Sequence, residues 1–150
     1  MKILNEFKCT FPANSANEAL ARAALSAFLI PADPTAQELA DLRTVISEAV
    51  TNAIVHGYRN TTGEVAICLR LLPERVIYIR VADRGCGIPD IARAMEPLYT
   101  SAPEEDRAGL GFAIMQTFTD SLRVRSSAGE GTVLTMRRRL GTQENDAAEA

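Results

Sequence analysis

A two-layer α+β sandwich, a mixed but mostly antiparallel sheet with its helices on one face, is the fold class this chain predicts. Three observations predict it. Leu39, Leu42, Ile46, Ala49, Val50 and Ala53 recur at helical spacing over several turns. Val65, Ile67, Leu69 and Leu71, and then Ile77, Ile79 and Val81, alternate with period two on either side of Pro73-Glu74. Helical stretches interleave with such hairpins instead of following every strand, so one helix layer on one sheet face buries both. A chain of 150 residues fits a single domain able to build its own core.

In chain order, Ile3, Phe7, Cys9 and Phe11 alternate with Lys2, Glu6, Lys8 and Thr10, which predicts a half-buried edge strand. Ser15 and Glu18 have the spacing of a capping box for a first helix, whose Leu20, Ala23, Ala24, Ala27 and Phe28 run on to Pro31. A second start lies at residues 33–38, where either Asp33 ahead of Pro34 or Thr35 with Glu38 caps the long helix that stops at Gly57. The hairpin follows. Residues 89–108 hold no period, carry Pro97 and Pro103 and the acids Glu104, Glu105 and Asp106, and read as a long loop, with 96–108 a candidate mobile lid. Gly109 to Phe118 is helical again, Leu122 and Val124 mark a strand, Gly129 and Gly131 a turn, and Val133 to Arg138 the last strand. The domain is expected to span residues 1–140, with 141–150 a disordered acidic tail that has no base and too little apolar surface to offset ordering entropy.

Composition excludes several classes. The hydrophobic share of 47% with 23% charged residues is that of a globular chain. No apolar run reaches the roughly 18 to 20 residues of a membrane span, and the first residues lack a secretory layout, so a cytoplasmic protein is expected. Cys9, Cys68 and Cys86 are odd in number and widely spaced, which suits reduced thiols and neither a disulfide framework nor a zinc site. A net charge of −3 supplies no cationic field for a phosphate backbone, so Arg137, Arg138 and Arg139 are read as decoration of a strand end and not as a nucleic-acid site.

Three short segments remain that carry chemistry. Glu48 and Asn52 lie one turn apart on one helix face, opposite the apolar strip and flanked by Val45 and Val55. A carboxylate in so apolar a stretch needs compensation, and a metal-nucleotide complex offers it: the Asn52 carbonyl oxygen suits Mg²⁺, while Glu48 suits the proton of an attacking hydroxyl. Glu and Asn four apart also occur on any solvated helix face. Asp83-Arg84-Gly85-Cys86-Gly87 follows a strand, so the carboxylate can accept from an exocyclic amine such as adenine's while the glycines admit a ligand to the backbone. A turn needing positive φ accounts for the same pattern. Gly109-Leu110-Gly111 opens a helix, where free N–H groups favour phosphate oxygens, and Arg107 precedes it within reach of a terminal phosphate or of solvent. Gly131-Thr132 starts the final strand. The single histidine, His56, reads as helix-end structure.

In this order, residues 47–57, 83–89 and 109–112 resemble the N, G1 and G2 boxes of the GHKL ATPase superfamily, with Gly131-Thr132 as a last weak box. Over residues 1–140 the chain is most similar to its small anti-sigma-factor serine kinases, the anti-sigma F branch of spore-forming bacteria above all. That resemblance implies a Bergerat-type sandwich, ATP/ADP with Mg²⁺, and a homodimer that sequesters a sporulation sigma factor of the sigma F type. It further implies an ATP-dependent protein serine/threonine kinase that phosphorylates an anti-anti-sigma factor. By position it makes Glu48 the general base, Asn52 the magnesium ligand and Asp83 the adenine-reading acid. Gly85, Gly87, Gly109, Leu110 and Gly111 become nucleotide contacts, with Thr51, Arg107 and Thr132 as further ATP-site positions, and Arg22 becomes the partner contact. Three alternatives stay open: a general-stress-type anti-sigma kinase, a histidine-kinase-like ATPase domain, and an ATP-binding capture module without transfer. Neither direct nucleic-acid binding nor a membrane is implied.

Overall fold

The computed structural model describes residues 2–58, 62–88, 91, 95 and 110–141. Strand β1 (Asn5–Pro12) leads into helix α1 (Asn17–Leu29) and, after a short 3₁₀ turn at Ile30–Ala32, helix α2 (Ala36–Thr51). The helix then widens into a π-helical segment, Asn52–Gly57. Strands β2 (Glu64–Leu72) and β3 (Val76–Asp83) precede helix α3 (Gly111–Phe118), and strands β4 (Ser121–Ser127) and β5 (Gly131–Arg139) close the chain. The sheet order is β1-β2-β3-β5-β4. Every described strand pair is antiparallel.

The helix layer covers one sheet face, as the period-two and helical patterns together require. Leu42, Val45, Ile46, Ala49 and Val50 of α2 are fully buried against Leu69, Ile77, Ile79 and Met136 of the sheet, with Leu25 and Leu29 from α1 and Met115 from α3. Leu39, expected in the same strip, is only partly covered. The expected edge strand is there, but its half-burial is not uniform: Phe11 is buried and Cys9 partly so, whereas Phe7 remains 38% exposed. The helices reach only the Phe11 end of that strand.

Local sequence decides the helix starts unequally. Thr35 caps α2 in a reciprocal box, its Oγ1 accepting from the Glu38 N–H at 3.0 Å while a Glu38 carboxylate oxygen accepts from the Thr35 N–H at 2.9 Å. This resolves the choice against Asp33. The box expected at Ser15 and Glu18 does not form. Helix α1 starts after Ala16 with no side-chain cap, because the Glu18 carboxylate turns to side chains of α2 instead. At the β2-β3 turn the Arg75 guanidinium donates to the carbonyls of Ala32 at 2.7 Å and Asp33 at 3.0 Å, fastening the hairpin to the α1-α2 connection.

The arginine run at the end of β5 is three separate contacts. Arg138 faces the helices and pairs with Asp41 at 2.9 Å. Arg137 lies over the Tyr78 ring on the open face, 5.6 Å from its centre, and Arg139 sits 3.7 Å from Glu74. Leu140 is buried and the Gly141 N–H donates to Glu38 at 2.7 Å. Of the tail expected at 141–150, the residues after Gly141 lie outside the described residues, as do the lid at 96–108, Arg107 and Gly109.

Candidate functional site

The C-terminal half of α2 and its π segment form one wall. Glu48 is buried, with 7% of its surface exposed. Its Oε2 faces the first residue of α3: a Cβ built on Gly111 would lie 3.2 Å from it. The first and third motifs are therefore not scattered, since Gly111 brings the start of α3 against the Glu48 carboxylate. Leu110, just ahead, is 39% exposed.

The other end of the wall is built by contact between backbones. Gly57 closes the π segment, and a Cβ on it would meet the Asp83 carboxylate at 2.9 Å. Gly85 lies so close that its own Cβ would fall 1.9 Å from the Gly57 carbonyl oxygen, which leaves glycine as the residue that fits. That same carbonyl accepts from the Cys86 N–H at 2.8 Å, and the Cys86 thiol donates to the His56 carbonyl at 3.1 Å. The loop after β3 is thus clamped on the helix end. On its far side Gly87, at φ +77°, packs its α-carbon against the Ser127 carbonyl, and the Gly129 N–H donates to the Cys86 carbonyl at 2.6 Å.

Asp83 sits at the centre of this clamp, 7% exposed. Its Oδ1 accepts from the Gly85 N–H at 2.8 Å. Burial pushes its carboxyl above the ordinary aspartate value, while backbone N–H groups of Gly85 and Thr132 pull the other way. Thr132, 3% exposed and opposite Asp83 in the β3-β5 register, has its hydroxyl 2.9 Å from that of Ser126. Ser126 also accepts from the Ile88 N–H at 2.7 Å. Asp83, Gly85, Gly87 and Thr132 are brought together. Gly57 stands nine positions beyond Glu48 along the helix and its π segment.

Thr51 and Arg22 belong to a neighbouring cluster: Thr51 Oγ1 donates to Glu18 at 3.0 Å and Arg22 to the same carboxylate at 2.9 Å. A groove of about 590 Å³, lined by Arg22, Leu39, Arg43, Ser47 and Glu48, opens beside it. Sequence reading missed Gly57, Tyr58, Ser126 and Glu18 as framework of the site. Gly57 carried only the signal of a helix stop. Tyr58 accepts the Arg84 N–H at 2.6 Å and donates to the Glu64 carbonyl at 2.7 Å, contacts that no local pattern announces.

Among the described residues no group of His, Cys, Asp or Glu could by itself hold a metal, and no helix is long and apolar enough to cross a membrane. The cysteines are free thiols.

Comparison with known proteins agrees with this architecture. The family described as "Histidine kinase-like ATPase domain" matches residues 11–138. The anti-sigma F factor of Clostridium acetobutylicum is 43% identical over 141 residues, covering 94% of this chain and 98% of that protein. That of Clostridium perfringens strain SM101 is 46% identical over 138 residues, with 92% and 99% covered. Among solved structures, the RsbU and RsbW domains of a Mycobacterium tuberculosis protein superimpose with a TM-score of 0.66 at 24% identity, over 91% of this chain and 32% of that one. A histidine kinase domain from Erythrobacter litoralis gives 0.54 at 22%, over 75% and 49%. At such identities these two likenesses speak for the fold. With a relative at 43% identity matched over nearly its whole length, the chain belongs to the histidine kinase-like ATPase domain family and, within it, to the anti-sigma F factors.

Proposed function

We propose that this anti-sigma factor binds ATP with Mg²⁺, holds a sigma factor of the sigma F type as a homodimer, and phosphorylates a serine of its anti-anti-sigma antagonist. One observation carries the reading. A buried carboxylate, Glu48, faces the glycine that opens α3, while a second buried carboxylate, Asp83, stands at the far end of the same helical wall. A nucleotide laid along the wall would present its adenine amine to Asp83 and its phosphates to the N–H groups at the start of α3, the Gly109-Leu110-Gly111 stretch. Thr132 and the glycines at 85 and 87 would line the base end and Arg107 the phosphates, while the Thr51 hydroxyl, tied to Glu18, would border the phosphate end from the neighbouring cluster.

The donor set fits Mg²⁺. That ion takes one or two protein oxygens and completes its shell with phosphates and water, so a single amide carbonyl from Asn52 suffices and no carboxylate cluster is needed. Mg²⁺ held there would offset triphosphate charge. In the transfer, the acceptor serine oxygen bonds to the γ-phosphorus, the bond from that phosphorus to the β-γ bridging oxygen breaks and ADP leaves. Glu48 receives the serine proton. A protein acting on transcription factors would do so in the cytoplasm.

The test is incubation with γ-labelled ATP and an anti-anti-sigma protein. Label is expected on serine, stable to acid; acid-labile label would identify a histidine kinase, and bound nucleotide without label a capture module. Glu48→Gln is expected to lower transfer by at least about 10²-fold while nucleotide affinity stays. Asn52→Ala is expected to weaken Mg-ATP itself. Equal loss of binding in both variants would contradict the separate roles.

A further inference from the structure

Glu18 bridges the two helices with both carboxylate oxygens. Oε1 accepts from the Ser47 hydroxyl and, at 2.9 Å, from Arg22; Oε2 accepts from the Thr51 hydroxyl at 3.0 Å. Arg22 also donates to the Ser47 hydroxyl at 3.2 Å, so the four side chains close on one another. The two hydroxyls sit one turn apart on α2, each immediately before a residue of the nucleotide wall: Ser47 before Glu48, Thr51 before Asn52. Thr51 is also the last residue before the helix widens. Arg22, by contrast, lines the open groove together with Arg43, and two guanidinium groups in a groove suit an incoming carboxylate.

We propose that Glu18 is a positioning residue that couples whatever engages Arg22 in this groove to Mg-ATP affinity, through its hold on Ser47 and Thr51. The inference rests on the reading of the α2 wall as a nucleotide site. Arg22 is the cation of the cluster. When an acidic group from a partner draws it away, the Glu18 carboxylate loses this cationic donor while the Ser47 and Thr51 hydroxyls stay in reach, and its pull on the end of α2 changes. The Arg22 contact is an ion pair as well as a hydrogen bond, so its loss throws the carboxylate's charge onto its remaining donors and changes their pull on the helix end. Coupling of binding free energies is reciprocal: nucleotide must change partner affinity by the same factor.

The coupling can be measured without a partner, by a double-mutant cycle on Mg-ATP affinity in the full chain. Arg22→Ala, which removes no proposed nucleotide contact, is expected to shift the dissociation constant about fivefold. In a Glu18→Gln background the same change should do nothing further. Thr51→Val, which keeps the shape and removes one of the two hydroxyl ties, should reduce the response to Arg22→Ala without abolishing it, since the Ser47 tie remains. Melting temperatures of each variant separate a general loss of stability, which would not depend on Glu18, from the coupling. Additive effects of Arg22→Ala and Glu18→Gln, or no effect of Arg22→Ala in the wild-type chain, overturn the inference and leave the nucleotide reading intact. Failure of the wild-type chain to bind Mg-ATP overturns that reading, and the inference with it.

Discussion

The two ends of α2 are built on different rules. At its start the helix is held by its own neighbours, through the reciprocal bonds of Thr35 and Glu38 and the Gly141 N–H on the same carboxylate. At its end the ladder loosens into the Asn52–Gly57 π segment, and what holds it is distant in sequence: Gly85 and Cys86 against Gly57, and Gly111 against Glu48. Such widened turns interrupt α-helices where a function needs a backbone out of register. One helix thus devotes its first turn to stability and its last to site geometry. Substitutions at the first end should move the melting temperature alone, and those at the second should move ligand affinity.

The sharpest way to break that contrast is Gly85→Ala. The added methyl would lie 1.9 Å from the Gly57 carbonyl oxygen and 2.7 Å from its Cα, and neither is a side chain able to rotate away. The loop or the helix end must rebuild. We expect nucleotide affinity to fall at least about 10²-fold, with a stability loss on the order of 3 kcal/mol, as for overpacking at a rigid contact. Calorimetric titration and thermal melting read the two separately. Unchanged affinity would show that the loop after β3 does not shape the site.

Thr35→Ala, at the opposite end, is the smaller and complementary change. Loss of an N-cap hydroxyl costs about 1 kcal/mol. In a domain of this length that lowers the melting temperature by roughly 3 °C. Mg-ATP affinity should be unaltered, since the cap lies four turns from the π segment. A parallel loss of affinity would mean that the helix transmits strain along its whole length.

The same division governs what the sequence could reveal. The α2 cap, the period of Leu42, Ile46 and Ala49, and the β2-β3 alternation are local, and each is read from spacing alone. Asp83 and Gly85 are less plain, because a positive-φ turn accounts for the same pattern and only its order with the other two segments points to a ligand. Glu18 misled for the opposite reason. Its spacing from Ser15 satisfies a local rule, yet two hydroxyls and an arginine offered the carboxylate a better set of donors. The π segment was illegible because 3.6-residue periodicity continues smoothly through Ala49, Val50 and Ala53, and only the tertiary seat of Gly57 widens the turn. Tyr58 joins β2 to the loop after β3 across separations that no window of sequence spans.

The finest distinction between the two ends is their response to acid. Burial raises the Glu38 carboxyl, but N–H donors from Thr35 and Gly141 more than offset it and hold the group below its ordinary 4.5. A depressed folded-state pKa contributes stability that is present above the unfolded value and lost as pH falls through the folded one. Asp83 has the opposite sign. Burial lifts it above 3.8, so its favourable contribution exists while it is protonated and is lost as pH rises through its folded-state value. Melting curves from about pH 7 to about pH 3 should therefore separate the two variants. The deficit of Glu38→Gln against wild type should shrink toward acid, and the gain of Asp83→Asn should shrink in the same direction, since protonation relieves wild-type Asp83 of its buried charge. Nucleotide affinity supplies the second half of the comparison. A protonated Asp83 gives up acceptor capacity toward an exocyclic amine, so Mg-ATP binding should weaken on acidification before an ordinary aspartate would titrate. Glu38→Gln should leave that acid limb where it is, because its carboxylate stands at the start of α2, at the opposite end of the helix from Asp83.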